Sequence, residues 1–125
     1  RKALFPFGFG LSYTTFEYSK ATLNGNQITV SITNTGNRAG QEVVQLYITD
    51  SKASVVRPKK ELKGFSKVAL LPGETKQVTF TITPDMLSYF DADAHHWIAE
   101  EGLFVIHIAS SSTDIHASLP YNYKK

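Results

Sequence analysis

Three stretches of this chain repeat the same two-residue alternation. Ile28, Val30 and Ile32 alternate with Thr29, Ser31 and Thr33. Val44, Leu46 and Ile48 alternate with Gln45, Tyr47 and Thr49, and Val78, Phe80 and Ile82 with Thr79, Thr81 and Thr83. Successive side chains of a pleated backbone point to opposite faces, so each run offers an apolar row to a core and a polar row away from it. Threonine suits the polar rows, because branching at Cβ disfavours helix slightly and packs well on a sheet. Two further strands are expected. One is 14–20, with Phe16 and Tyr18 on one side. The other is 103–109, apolar on both faces except for His107, as befits a central strand or one with a covered outer face. Residues 62–70 and 97–99 carry a fainter form of the pattern.

The turn residues fall between these runs. Asn24-Gly25 offers the positive φ values of a tight hairpin turn. Leu71-Pro72-Gly73-Glu74 fits a type II turn, with Pro setting φ at the second position and Gly tolerating φ > 0 at the third. Asn34-Thr35-Gly36-Asn37 closes the preceding strand. Residues 84–89 form a single helical turn in this reading, capped by Thr83 with Pro84 at its first position. About seven short strands with almost no helix describe an all-β, immunoglobulin-like antiparallel sandwich.

Composition narrows the functional classes. Hydrophobic residues are 42% and charged residues 19% of 125, a globular balance for one domain. The net charge is +2, and basic residues are scattered apart from Arg57-Pro58-Lys59-Lys60 and Lys124-Lys125. That argues against a nucleic-acid partner and for a solvated loop and tail. No apolar run approaches a membrane span, so no membrane partner is expected. Cysteine is absent, which excludes disulfides and thiolate chemistry. The opening Arg1-Lys2 reads as a cut from something longer.

Residues 1–13 do not fit a self-sufficient domain. They hold Phe5, Phe7, Phe9, Leu11 and Tyr13 among Gly and Pro, with no charge after Lys2. Such a segment is costly to leave in water, so it packs along the domain or docks on another. Tyr121 and Tyr123 in the tail are a smaller case. The expected organisation is a junction at 1–13 followed by a sandwich at 14–125.

These residues together resemble a known family. The run from Leu4 to Phe16 looks like the junction leading into the C-terminal fibronectin type III-like domain of glycoside hydrolase family 3. The likeness continues through residues 30–36, 40–47, 57–65 and 71–74, then Trp97 and residues 110–115. Glu101 before Gly102, where Pro is frequent, and His116, where Arg is common, depart from the pattern, and Phe9 occupies a variable position. The resemblance implies a β-glucosidase or β-xylosidase parent, periplasmic or secreted, whose barrel and α/β domains carry the nucleophile and the acid/base. Neither catalytic motif has a matching position here. The implied role is a module without catalytic residues or cofactor of its own, packing on the barrel and α/β domains of the same polypeptide. Phe5, Phe7, Phe9, Leu11, Tyr13, Tyr121 and Tyr123 are then the docking candidates. Arg57, Lys59 and Lys60 mark a loop able to approach the parent's active site. The rival role is a carbohydrate- or surface-binding module making weak sugar contacts.

Residues that carry chemistry elsewhere have plainer readings here. Asp91, Asp93, His95 and His96 offer oxygen and nitrogen ligands, but nothing is spaced to complete a zinc pattern, and a polar loop is the expectation. Ser112, Asp114 and His116 alternate on one face if the backbone is extended, but a catalytic triad converges through the fold, and a terminal polar strand edge is the expectation. Glycoside hydrolysis needs two carboxyl groups about 5–10 Å apart. Glu42, Glu100 and Glu101 are available, but the adjacent pair cannot converge if extended. Trp97 is expected in the core or at a domain interface, and His107 as a packed, hydrogen-bonded histidine.

Overall fold

In a computed structural model, residues 14–51, 59–91, 93 and 95–125 are described, and each alternating run is a strand. In chain order the strands are β1 (Phe16–Tyr18), β2 (Thr22–Asn24), β3 (Gln27–Asn34), β4 (Gly40–Asp50), β5 (Lys60–Leu70) and β6 (Thr75–Thr81). A single turn of 3-10 helix, Pro84–Leu87, leads to β7 (Ser88–Asp91), β8 (His96–Ala99), β9 (Gly102–Ser111) and β10 (Asp114–Tyr123). No helix among the described residues is long and apolar enough to cross a membrane.

Two antiparallel sheets face each other. In the first, β3 is central: β6 pairs along one side, while β1 and β2 share the other. The second has the order β10-β9-β4-β5. Strands β7 and β8 form a separate hairpin. This is the expected immunoglobulin-like sandwich, and β2, β7 and β10 bring the expected seven strands to ten among the described residues. Pro120 argues against a strand by sequence, but β10 is an edge strand, where proline is tolerated on the side that faces away from the ladder. The doubly apolar β9 is central, between β10 and β4.

The inward rows supply the core. Ile28, Val30 and Ile32 of β3 meet Val44 and Leu46 of β4 and Phe104, Ile106 and Ile108 of β9, all at most 2% exposed. Asn34 continues the inward row of β3 and is the one buried polar residue among those described. Its Oδ1 accepts from Thr14 Oγ1 at 2.9 Å and from the Gly36 N–H at 3.0 Å. Its Nδ2 donates to the carbonyls of Arg38 at 2.8 Å and Leu70 at 3.0 Å. Its own backbone bonds Glu74 and Gly73 in the β5–β6 turn. One side chain thus ties the start of β1, the β3–β4 loop and the end of β5 together. A Cβ on Gly36 would sit 1.9 Å from Thr14 Oγ1, so glycine is what lets the chain cross so closely here.

Two turn expectations need correcting. The β2–β3 hairpin loop is Gly25-Asn26 rather than Asn24-Gly25, and Gly25 alone takes positive φ, at 64°. A glycine first and a negative φ second match the right-handed twist of the flanking strands. Thr83 is the residue before the 3-10 turn with Pro84 next, but its side chain makes no cap bond. The β5–β6 turn is as expected: Gly73 has φ 78°, and the Glu74 N–H donates to the Leu71 carbonyl at 2.9 Å.

Candidate functional site

Strand pairing brings the chemistry-bearing residues into three places. The first joins the two sheets. Tyr18 of β1 stacks on His116 of β10, with ring centroids 3.8 Å apart and planes 4° from parallel. Its hydroxyl donates to Glu42 Oε2 of β4 at 2.7 Å. Burial, and then the Glu42 carboxylate that holds this proton, push the phenol well above its ordinary range. Behind the ring, His116 Nε2 lies 3.2 Å from Ser110 Oγ and 3.5 Å from Asp114 Oδ2, and Ser110 donates to Asp114 at 2.5 Å.

This cluster contains a serine, a histidine and an aspartate, yet it is not wired as a nucleophile. In a relay the serine gives its proton to one ring nitrogen and the aspartate orients the other. Here serine and aspartate share Nε2, and the hydroxyl proton goes to the carboxylate. The serine is also Ser110 rather than Ser112, whose carbonyl accepts from Lys60 Nζ at 2.6 Å. Two register shifts in the β9–β10 pairing, on either side of Ile115, cause the exchange by breaking strict alternation.

The second place is the outward face of the second sheet, around His107. Its Nε2 is 2.9 Å from Thr49 Oγ1 and its Nδ1 is 2.8 Å from Ser118 Oγ. A neutral ring donates through one nitrogen and accepts through the other, and the two hydroxyls can satisfy both. Desolvation, and then the nearby Lys60 ammonium, lower its pKa below 6.5. Since the folded-state pKa is depressed, the folded chain resists a proton that the unfolded chain accepts. Stability is therefore complete above about pH 6.5 and declines as the pH falls below it. His107→Gln removes this dependence: between pH 7 and 5 the urea midpoint of the native chain drops further than that of the variant. Parallel midpoint curves would refute the assignment.

The third place is the β7–β8 hairpin. Trp97 there is 66% exposed, so it is not a core tryptophan; Phe104, Ile106 and Ile108 fill the centre of the sandwich instead. Asp93 and His95 are exposed in the hairpin loop, where His95 holds φ 58°. Among the described residues no group of three or more acidic or histidine side chains is close enough to hold a metal ion.

Glu42 does not converge with Glu100 or Glu101. Asp50 pairs with Phe104 in the β4–β9 ladder, close to the turn that holds Glu100 and Glu101. Glu42 lies eight residues back along β4, about 26 Å away, well beyond the roughly 5–10 Å that two-carboxylate hydrolysis requires. Glu101 instead accepts the backbone N–H of Lys125 at 3.0 Å.

Of the docking candidates, Phe5, Phe7, Phe9, Leu11 and Tyr13 lie outside the described residues. Tyr121 and Tyr123 are half-buried on the inward side of edge strand β10, against the core. Arg57 also lies outside the described residues. Lys59 is exposed immediately before β5, and Lys60 opens that strand, its ammonium 5.6 Å from the Tyr47 ring centroid. Sequence patterning missed Asn34, Ser110 and the Tyr18–His116 stack. For Asn34 the signal was present: it follows Ile28, Val30 and Ile32 at the same parity.

Comparison with known proteins agrees with this architecture. The family model described as Fibronectin type III-like domain matches residues 42–112. A β-glucosidase of Bacteroides ovatus is 49% identical over 96% of this chain and 17% of its own length. A putative β-xylosidase of Formosa agariphila is 47% identical over 89% of this chain and 16% of its own. The crystal structure of the Kluyveromyces marxianus β-glucosidase in complex with glucose superposes with a TM-score of 0.79 at 43% identity. That superposition covers 100% of this chain and 16% of the other. The chain spans about a sixth of the length of the relatives it matches.

Proposed function

Since the chain belongs to the fibronectin type III-like domain family, in the form carried by family 3 glycoside hydrolases, we propose that it is the non-catalytic packing module of such an enzyme. It holds against the barrel and α/β domains of the same polypeptide and stabilises them. The observation that carries this reading is the match itself: nearly the whole chain aligns to one-sixth of a β-glucosidase. Glu42 lies too far from Glu100 and Glu101 to act with either as the carboxyl pair of the reaction, which is consistent with this reading. The parent hydrolyses terminal β-D-glucosyl residues outside the cytoplasm, in the periplasm or after secretion. A sugar-binding role needs a coplanar row of exposed aromatic rings. The exposed aromatics Phe65 and Trp97 lie on β5 and on the β8 hairpin, which belong to different sheets.

The test compares the parent polypeptide with a form that ends before residue 14. We expect the shortened form to lose most of its nitrophenyl β-glucoside activity through a melting temperature lower by roughly 10 °C or more, and the isolated chain to show no turnover. Equal melting of the two forms, or turnover by the isolated chain, would overturn the proposal.

A further inference from the structure

We infer that the outer face of the β10-β9-β4-β5 sheet is the surface through which this domain docks on an adjoining domain of its parent polypeptide, with Leu62, Phe65 and Leu103 at the contact. This rests on the packing role just proposed and names the face that performs it.

The two outer faces of the sandwich differ in kind. On the first sheet, Gln27, Thr29, Ser31 and Thr33 stand in register with Thr81, Thr79, Gln77 and Thr75. Their side chains bond one another: Thr29 to Thr79 at 3.0 Å, Thr33 to Thr75 at 2.6 Å, and Gln27 to Thr81 at 3.4 Å. A satisfied hydroxyl and amide ladder is content in water. The second sheet presents the reverse. Leu62 is 51%, Phe65 62% and Leu103 43% exposed, three of the five large exposed apolar side chains among the described residues. The other two, Leu71 and Trp97, are on a turn and on the hairpin, and none is on the first sheet.

Register assembles the patch. Leu62 stands opposite Tyr47, Tyr47 opposite His107, and His107 opposite Ser118. The next row runs Lys60, Thr49, Val105, Pro120, and the row on the other side begins Phe65, Gln45, Ala109. His107 sits in the middle with both nitrogens engaged, and its depressed pKa keeps this surface neutral there. Lys60, and Lys67 one row beyond Phe65, flank it among the described residues. The surface that fits is apolar at its centre with a carboxylate at its margin.

The occupant follows from length. About five-sixths of each matched relative lies outside the aligned region, in the same polypeptide. Four strands by four rows cover about 14 Å by 20 Å, about 280 Å² per side or 560 Å² in all, which is close to the lower end of interfaces between domains of one chain.

The experiment uses hydrogen exchange on the parent polypeptide and on this chain alone. It compares the native sequence, the pair Leu62→Glu with Phe65→Glu, and the control pair Thr29→Glu with Thr79→Glu. Amides of Lys60–Leu70 should exchange at least tenfold more slowly in the parent. The Leu62/Phe65 pair should abolish that protection while leaving the melting of the isolated chain unchanged, and the threonine pair should keep it. Protection confined to another face, with the Leu62/Phe65 parent behaving as native, would overturn the assigned face and leave the packing role standing. No protection anywhere in the parent would overturn both. Two outcomes would assign the face to other occupants and sink the inference. One is dimerisation of the isolated chain that Phe65→Glu abolishes. The other is protection already present in the isolated chain and lost on removing residues 1–13.

Discussion

Asn34→Leu destabilises the isolated chain by about 3–5 kcal/mol, a drop of roughly 10–20 °C in Tm. The side chain is fully buried and uses all its hydrogen-bonding capacity on four partners in three separate segments. Leucine keeps the branched shape and the heavy-atom count but is bulkier, so lost polarity and some overpacking both contribute. The carbonyls of Arg38 and Leu70 lose their donor, and the Gly36 N–H and Thr14 hydroxyl lose their acceptor. Asn34→Asp separates the two halves of this network. It keeps the acceptor toward Thr14 and Gly36 but aims a carboxylate oxygen at two carbonyl oxygens. Burial and that repulsion raise the folded-state pKa of the new aspartate above its unfolded value of about 3.9. For an acid with a raised pKa the folded form binds more protons, so stability is greatest below pH 4 and falls as the pH rises. Urea denaturation at pH 4 and pH 7 checks this. The Asp variant, referred to the native chain at each pH, should be less destabilised at pH 4. The same deficit at both would mean that the amide donor carries little of the cost.

The strands were legible because burial has a period of two, which the runs in β3 and β6 obey throughout, while β4 and β9 depart from it only where Tyr47 and Ala109 are buried as well. What escaped the pattern lies where that period breaks. Ser112 was expected beside Asp114 and His116, but register shifts around Ile115 bring Ser110 there instead. The start of β10 was legible as a terminal polar strand edge, but its continuation through Pro120 was not, because proline argues against a strand until its position at the sheet edge is known. Trp97 was expected in the core or at a domain interface, and its exposure excludes only the core. Its place on a hairpin outside both sheets depends on pairing with Phe90, which periodicity does not report. The Tyr18–His116 stack joins residues 98 positions apart on different sheets, so local sequence cannot announce it. The candidate surface was half legible. Alternation places Phe65 and Leu103 on outward rows, but only the topology puts them on the same face.

The closest reading of that topology comes from two neighbours on β9. Phe104 is 2% exposed and Leu103 is 43% exposed, although both are large, apolar and adjacent. Phe104→Ala removes most of a ring from the packed interior, where the surroundings relax only partly. Lost transfer energy and the residual cavity together cost about 3–5 kcal/mol. Leu103→Ala in the isolated chain removes a side chain that is already 43% exposed, and its cost stays within about 1 kcal/mol. Denaturation of the two variants side by side reads the facing of β9 directly, since a strand slipped by one residue would exchange their effects. The comparison gains a second meaning in the parent polypeptide. There Phe104→Ala should cost what it costs alone, because its neighbours all lie within this domain. Leu103→Ala should cost more than it does alone, because the partner surface now buries it. An equal and small Leu103 effect in both settings would leave the sandwich intact but remove Leu103 from the contact.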